Sequence, residues 1–255
     1  MHLPKSMATS LRFSKLDRDR RLSTIASFAS PGYDVVATLF VPGDKMNKPV
    51  VLQHPLVDCH LTVLRNRETQ PAEFRQSVRR LSMLLAHSAT AELATMDDPI
   101  ETPLQTMTGK KLLNRIGLVP ILRAGIGMVE PMLDLIPTSE VWHLGLYRDE
   151  ATAQPVSYYS KLPESSPVDV AFVLDPMLAT GGSAAMACQT LIEWGVPSIK
   201  MLSIIAAPEG ISRMQEEFPT IELHSCVIDE RLNDDSYIVP GLGDAGDRIF
   251  NTLHF

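Results

Sequence analysis

Short apolar segments alternate with helix-length amphipathic segments from about residue 50 to the C-terminus. Five segments are mainly apolar and predict strands, at residues 116–122, 141–147, 168–174, 199–206 and 221–228. Helical spacing of apolar residues predicts helices at 71–93, 127–135, 183–194 and 208–218. Apolar strands separated by helices are typical of a parallel sheet covered on both faces. The pattern therefore predicts an α/β fold.

The first 49 residues differ from the rest of the chain in charge. They hold 8 lysines and arginines against 4 acidic residues, whereas the remainder holds 15 against 26, a net charge of -11. We interpret residues 1–49 as a solvated, poorly ordered N-terminal extension and residues 50–255 as one domain. The alternative is an organelle-targeting segment within residues 1–30, which are basic and contain several serines.

Composition argues against several classes of function. Hydrophobic residues make up 45% and charged residues 21% of the 255, which is ordinary for a globular domain. The net charge of -7 disfavours a nucleic-acid surface, and no apolar run approaches the roughly 18 residues of a membrane span. Three cysteines form no CxxC pair, and the histidines lack zinc-ligand spacing. We therefore expect a cytoplasmic protein that binds small molecules.

The most informative polar interruption follows the strand predicted at 168–174. Asp175 ends the strand, a short loop leads to Thr180-Gly181-Gly182-Ser183, and a helix follows. Ligands bind beyond the carboxyl ends of parallel strands, where glycines and a helix N-terminus favour a phosphate. Asp175 is placed to accept hydrogen bonds from ribose hydroxyls. The alternative is a helix N-cap by Ser183; a nucleoside-triphosphate P-loop is excluded because its lysine is missing.

This segment resembles the phosphoribosyl diphosphate (PRPP) binding motif of type I phosphoribosyltransferases. The pair Asp175-Pro176, where most of that superfamily has two acidic residues, resembles the uracil phosphoribosyltransferase family. Further stretches agree with that family, at residues 54–57, 61–65, 89–91, 119–125, 146–150 and 237–247. The resemblance spans about residues 51–252. It implies a type I phosphoribosyltransferase-like parallel sheet flanked by helices, with a small C-terminal hood for the base and often a non-proline cis peptide near Arg123.

The resemblance also implies a reaction and a set of site residues. The reaction is uracil + PRPP → UMP + diphosphate, with Arg123, Asp175 and Asp244 at its centre. PRPP binding falls on Arg123, Arg148, Asp175, Pro176, Met177, Leu178, Ala179, Thr180, Gly181, Gly182, Ser183 and Asp244. Uracil binding falls on Ile238, Gly243, Asp244 and Ala245. No protein ligand is assigned to the metal, since Mg²⁺ would be held mainly by PRPP and water.

Other implied properties concern assembly, regulation and closure of the site. The family suggests a homodimer or larger homo-oligomer, and some relatives are activated by GTP. Residues 149–166 would form a mobile flap over PRPP, with Tyr158, Tyr159 and Lys161 as weaker candidates than Arg148. This chain departs from the family's pattern at Cys59, His87, Ser88, Glu130 and Pro131, and none of these is assigned to the chemistry.

Two of the implied assignments also have support from the residues themselves. Arg123 follows an apolar strand, where a guanidinium suits a diphosphate; the alternative is a surface ion pair. Residues 241–246 match GxGxxG, but a dinucleotide fold is excluded because only nine residues follow. Such a glycine-rich stretch exposes backbone donors and acceptors that complement uracil; the alternative is a structural turn.

Two other functions stay open for the same fold. One is a non-catalytic regulator that senses PRPP or UMP; RNA contact is disfavoured by the acidic body of the chain. The other is a phosphoribosyltransferase for a different base, since the residues alone do not select uracil over a purine.

Overall fold

The computed structural model describes residues 25–30, 33–38, 47–148, 155–160, 162, 163 and 165–252. The chain divides into two compact units, Met1–Asp44 and Lys45–Phe255. In the first unit, β1 (Ile25–Ser30) pairs antiparallel with β2 (Tyr33–Thr38). This hairpin lies within the predicted extension, most of which falls outside the described residues. The division at residue 49 and the poor order of residues 1–49 stay predictions.

The second unit contains a mixed sheet whose strands are mostly parallel. In chain order its strands are β3 (Val50–Val51), β6 (Ile116–Leu122), β7 (Glu140–Val141), β8 (Leu144–Arg148), β9 (Pro155–Ser160), β10 (Val170–Leu174), β11 (Met177–Leu178), β12 (Ser198–Ala206) and β13 (Glu222–Ile228). The spatial order is β3-β13-β12-β10-β6-β8-β9, with β7 beside β6 and β11 beside β12. Only β9 pairs antiparallel, against β8. Two antiparallel hairpins lie apart from this sheet, β4 (Thr95–Glu101) with β5 (Thr106–Leu112), and β14 (Arg231–Leu232) with β15 (Ile238–Val239).

Six α-helices are present in the described part of the chain. They are α1 (Pro55–Arg65), α2 (Pro71–Ala89), α3 (Val129–Leu135), α4 (Gly182–Trp194), α5 (Pro208–Glu217) and α6 (Ala245–Phe250). Proline in the first turn starts α1, α2 and α5, where its missing N–H is not needed. A short 3₁₀ helix, Ala124–Met128, precedes α3. No helix in the described residues is both long and apolar enough to cross a membrane.

Both faces of the sheet are covered by helices. Along β10, Val170, Phe172 and Leu174 pack in one hydrophobic cluster with residues of α1, α2 and α3, while Ala171 and Val173 pack in another with α4 and α5. Successive side chains of a strand point to opposite faces, so an unbroken apolar strand requires cover on both. The prediction of a type I phosphoribosyltransferase-like α/β fold is confirmed.

Two predicted elements differ from the structure. The strand predicted at 141–147 is two short strands, β7 and β8, because β7 pairs with the start of β6 at Gly117 and Leu118 and β8 pairs with its end. The helix predicted at 71–93 ends at Ala89, where the next N–H, from Thr90, donates back to Ala86 O. Helix α1 and the hairpin β4–β5 were not predicted.

Candidate active site

The carboxyl ends of the parallel strands bring three predicted site segments to one edge of the sheet. Arg123 follows β6, Asp175 follows β10, and Arg148 ends β8. Because β6 pairs with both β10 and β8, the three chain positions are neighbours along this edge. The Arg148 side chain, residues 149–154 and Lys161 lie outside the described residues. Within the predicted flap, Tyr158 and Tyr159 lie in β9, and only their backbone is described.

The loop after β10 connects the Asp175 carboxylate to the N-terminus of α4. Met177 N–H donates to Asp175 Oδ1 at 3.4 Å, and Gly182 N–H to Thr180 Oγ1 at 3.5 Å. Gly181 is the N-cap, and no described side chain caps α4, so the alternative of Ser183 as N-cap is wrong. The first N–H groups of α4 are therefore available to an anion. The loop lines a depression of ≈ 80 Å³, formed by Asp175 and residues 177–184.

Glycines allow this loop to contact its neighbours closely. Gly181 has a φ of 76°, in the left-handed region that favours glycine. A Cβ on Gly210, in α5, would lie 2.4 Å from Ala179 O, so α5 packs directly on the loop backbone. A Cβ on Gly125 would lie 2.3 Å from Leu174 O, so the 3₁₀ helix after Arg123 packs against the end of β10. Gly210 was not predicted as a site residue, because nothing in the sequence around it distinguishes it from any other helix residue.

The Asp175 carboxyl group has a pKa above that of a free aspartate. Burial raises its pKa to about 7; the Met177 N–H opposes this shift, and the negative charge of Asp244 adds to it. Asp244 is the N-cap of α6, where its carboxylate accepts Asp247 N–H at 2.8 Å. Asp244 also lies near Arg123, since a Cβ on Gly246 would be 3.2 Å from Asp244 Oδ1 and 3.9 Å from Arg123 Nη2. Two residues that the resemblance assigned to one site are thus brought together.

Arg123 faces the same C-terminal segment. The Leu122–Arg123 peptide bond is cis. The side chain is 59% exposed, and its Nη2 donates to Asp247 Oδ1 at 3.2 Å. The ion pair considered as the alternative is therefore present, but an exposed pair with one contact contributes little stability. The described contacts engage one of the five guanidinium N–H donors, which leaves the arginine able to reorient toward an anionic ligand.

The predicted base-recognition segment forms a hood at the same edge. Its residues come from β15, the loop 240–244 and α6, and the Val239–Pro240 peptide bond is cis. Ile238 and Ala245 are buried, whereas Gly243, with a φ of 81°, and Asp244 are exposed. The segment is thus also a structural turn, with its backbone groups exposed at Gly243. The structure brings the two predicted binding segments to one place.

Three functional candidates in the hood were missed from the sequence. Arg65, Asp229 and Arg248 contact the loop 240–244, and Arg65 and Arg248 also line a cavity of ≈ 300 Å³. Asp229 directly follows β13. The rule that singled out Arg123 and Asp175, inspection of the residue after each strand, would have found it. Arg65 and Arg248 are in helices, and no spacing relates them to the hood.

The chain matches a model of one protein family over most of its length. Residues 51–252 match the uracil phosphoribosyltransferase model. The chain is 55% identical over 207 residues to a uracil phosphoribosyltransferase of Roseiflexus sp. (strain RS-1), covering 81% of this chain and all of that protein. It is 48% identical over 208 residues to the uracil phosphoribosyltransferase of Enterococcus faecalis (strain ATCC 700802 / V583), with the same coverage.

A solved structure agrees with these matches. The AQ2163 protein from Aquifex aeolicus has a TM-score of 0.77 and 35% identity, over 82% of this chain and all of that protein. The resemblance that rested on short motifs is confirmed across the second compact unit. The chain is therefore a member of the uracil phosphoribosyltransferase family, pentosyltransferases that convert uracil and PRPP to UMP and diphosphate in pyrimidine salvage.

Proposed function

We propose that this reaction takes place at the carboxyl edge of the sheet, between the loop 175–183 and the hood segment 238–245. The observation that supports this location best is the contact of Arg123 Nη2 with Asp247 Oδ1 at 3.2 Å, which joins the carboxyl edge of the sheet to α6 of the hood. A glycosyl transfer between two substrates needs two binding segments that face each other, because positioning supplies much of the rate.

The phosphate of PRPP binds at the start of α4 in this proposal. Backbone N–H groups of residues 180–183 and the hydroxyls of Thr180 and Ser183 are donors suited to a phosphate monoester, whereas Ala179 N–H donates to Met177 O at 3.1 Å within the loop. Pro176, Met177 and Leu178 shape the loop before it, Gly181 supplies a left-handed turn with a φ of 76°, and Gly182 begins α4. The diphosphate lies toward Arg123 and Arg148, whose guanidinium groups bind its oxygens in pairs.

Asp175 and the hood act on the two reacting partners. Uracil N1 forms a bond to ribose C1 as the bond from C1 to a diphosphate oxygen breaks, and that electron pair leaves with the diphosphate. The proton of N1 is released. Asp175 holds the ribose hydroxyls and stabilises the positive charge that develops on the sugar. Backbone groups of Ile238, Gly243 and Ala245 orient uracil, with Asp244 between the base and PRPP.

Mg²⁺ fits this site as a companion of PRPP. The described residues contain no cluster of three or more His, Cys, Asp or Glu that could hold a metal ion. Two carboxylates that repel each other, Asp175 and Asp244, favour a nearby cation, and Mg²⁺ prefers oxygen ligands while it keeps several waters. When bound, the ion neutralises charge on the diphosphate. Activity lost to a chelator and restored by Mg²⁺ tests this proposal.

The hairpin β4–β5 supports assembly into a homo-oligomer. It exposes apolar side chains along its length, with Leu104 95% exposed at its tip and Met96, Ile100 and Met107 more than 40% exposed on its strands. An isolated two-stranded hairpin is marginally stable in water, so cover from a second copy would stabilise it. Light scattering of the purified protein tests for a dimer or larger assembly.

The proposal extends to activation by GTP and to a cytoplasmic location. Activation by GTP is assayed by adding GTP at subsaturating PRPP. A cytoplasmic location is supported by three free cysteines, Cys59, Cys188 and Cys226, as expected in a reducing compartment. Fractionation of cells that express the full chain distinguishes this from targeting by residues 1–30.

One assay tests the substrate assignment. The purified protein is incubated with PRPP, Mg²⁺ and each of uracil, cytosine, hypoxanthine and adenine, and nucleotide formation is followed by absorbance. We expect turnover with uracil alone. Turnover of a purine would support the alternative base, and binding of PRPP or UMP with no turnover would support the sensor.

A further inference from the structure

A buried ion pair ties the hood to the first helix of the domain. Asp229 follows β13, and its side chain is only 3% exposed. Arg65 is the last residue of α1, and its Nη1 and Nη2 donate to the two Asp229 carboxylate oxygens at 2.8 and 2.5 Å. This is a two-pronged contact, the arrangement that a guanidinium forms with a carboxylate when its orientation matters.

The same pair holds both backbone groups of one hood residue. Gly241 N–H donates to Asp229 Oδ2 at 2.9 Å, and Gly241 C=O accepts from Arg65 Nη1 at 2.8 Å. Gly241 has a φ of 63°, and a Cβ there would lie 2.0 Å from Ile238 O. The loop therefore passes through Gly241 in a single, tightly specified direction, two residues before Gly243.

A second arginine holds the next residue from the other side. Arg248 Nη1 donates to Leu242 O at 2.7 Å and to Leu64 O at 2.5 Å, and its Nη2 donates to Asn66 O at 2.7 Å. Its guanidinium carbon lies 4.4 Å from the centroid of the Phe74 ring. The carbonyls at the end of α1 are thus linked to the hood through Arg248, as well as through Arg65.

We propose that Arg65 and Asp229 are positioning residues for the base: they do not touch substrate, but they set the direction of the peptide groups that read uracil. This inference rests on the proposed binding of uracil at residues 238–245. Uracil offers two carbonyl oxygens and an N–H to fixed backbone partners, and small misplacements of a positioned group have large kinetic effects. PRPP binds mainly on the other segment, with Asp244 its only assigned contact in the hood, so its affinity should depend much less on the pair.

The test is steady-state kinetics of Arg65→Lys, a variant that keeps the positive charge. A single ammonium cannot reproduce both the paired contact with Asp229 and the contact with Gly241 C=O. We expect the KM for uracil to rise by about tenfold or more, while the KM for PRPP changes by less than about twofold. The matched control is Arg115→Lys. Arg115 also contacts a carboxylate through two nitrogens, with Glu140 Oε1 at 2.8 and 3.2 Å, but it precedes β6, at the end of the strand opposite Arg123, so both KM values should stay unchanged.

Asp229→Asn is the second variant. It keeps the size of the side chain and one carbonyl oxygen for Gly241 N–H, and it should show the same uracil-specific change. Thermal melts and calorimetric titration with PRPP accompany both variants, since a purely structural role would lower stability without separating the two substrates. An unchanged uracil KM in folded Arg65→Lys, or parallel changes for both substrates, would overturn the proposal. Failure of both variants to fold would also overturn it, because the pair would then be structural.

Gly243→Val, measured in the same series, separates this inference from the location of the base. If Gly243→Val leaves the uracil KM unchanged, the assignment of uracil to the hood has failed. If Gly243→Val raises the uracil KM and Arg65→Lys does not, the hood assignment stands and the positioning role of Arg65 is wrong.

Discussion

Replacing Asp175 by asparagine should change both the activity and the pH dependence of the enzyme. The substitution keeps the size of the side chain and one acceptor for a ribose hydroxyl, but it removes the charge. Hydrogen bonds to a charged group are worth about 1.5–3 kcal/mol. At pH 8, where most of the Asp175 carboxyl is ionised given a pKa of about 7, we expect kcat/KM for PRPP to fall by about one to two orders of magnitude.

The pKa of Asp175 makes this loss depend on pH. With a pKa of about 7, roughly nine-tenths of the carboxyl is ionised at pH 8 and one-tenth at pH 6 in the free enzyme. The ratio of wild-type to Asp175→Asn kcat/KM should therefore fall about tenfold between pH 8 and pH 6. Taking the ratio cancels the effect of PRPP ionisation on kcat/KM, because that effect is the same for both proteins.

The Asp175→Asn substitution should raise the stability of the folded protein although it lowers the activity. The pKa rises from 3.8 to about 7 on folding, so the folded protein binds the proton more tightly and loses stability as pH rises through this range. At about 1.4 kcal/mol per unit the full shift is roughly 4 kcal/mol, and water in the open site reduces it to about 1–2 kcal/mol. Without ligands at pH 8, Asp175→Asn should melt about 2–8 °C above the wild type. The difference should disappear near pH 4.

Two series of measurements decide this prediction. Steady-state kinetics with PRPP varied are recorded for both proteins from pH 6 to 8, and melts are recorded from pH 4 to 8. Near-wild-type kcat/KM at pH 8 would refute the ribose role of Asp175, and a constant ratio across the pH range would refute its titration. Lost activity with a lower melting temperature would support only a structural role.

Three further substitutions probe the rest of the site. Arg123→Ala should raise the KM for PRPP about tenfold or more and leave the KM for uracil nearly unchanged, because the diphosphate belongs to one substrate; a change in uracil KM alone would contradict this. Gly243→Val should raise the KM for uracil, since a β-branched residue is strained at a φ of 81°; unchanged uracil kinetics would remove Gly243 from the site. Gly210→Ala should raise the KM for PRPP and destabilise the fold by about 1–3 kcal/mol, because its Cβ would lie 2.4 Å from Ala179 O. A normal melting temperature and normal PRPP kinetics would show that the loop backbone can shift to accommodate the methyl group.

The parts of the fold that follow from local pattern could be predicted. The strand at 116–122 has the predicted bounds, and the strands around β10, β12 and β13 agree within two residues. β6 and β10 are apolar throughout because both of their faces are buried, whereas β12 and β13 are mainly apolar and include polar residues such as Lys200 and His224. The hairpin β4–β5 lacks this signal, since its side chains are mostly exposed and mostly polar.

The candidate site likewise has one part that could be predicted from the sequence and one part that could not. Asp175 and the glycine-rich loop after it are contiguous in sequence, so their chemistry is visible without coordinates. The contacts of Arg65 with Asp229 and Gly241 join residues separated by 164 and 176 positions, and no local pattern encodes such a distance. Helix α1 does have apolar residues at helical spacing, with Val57, Leu61 and Leu64 buried, but nothing in that spacing relates it to the hood.

The long-range ties of the hood have a consequence for synthesis of the chain. The sheet from β6 to β12 and the loop 175–183 need no residue beyond 206 for their strand pairing. The hood cannot take its final direction until Asp229, Gly241 and Arg248 have left the ribosome and closed loops of more than 160 residues back to α1. We therefore expect the PRPP-binding part of the site to form before the base-binding part during synthesis. A chain truncated within its final 30 residues would keep the strands that carry the PRPP-binding loop. It would lack residues that the base-binding hood requires.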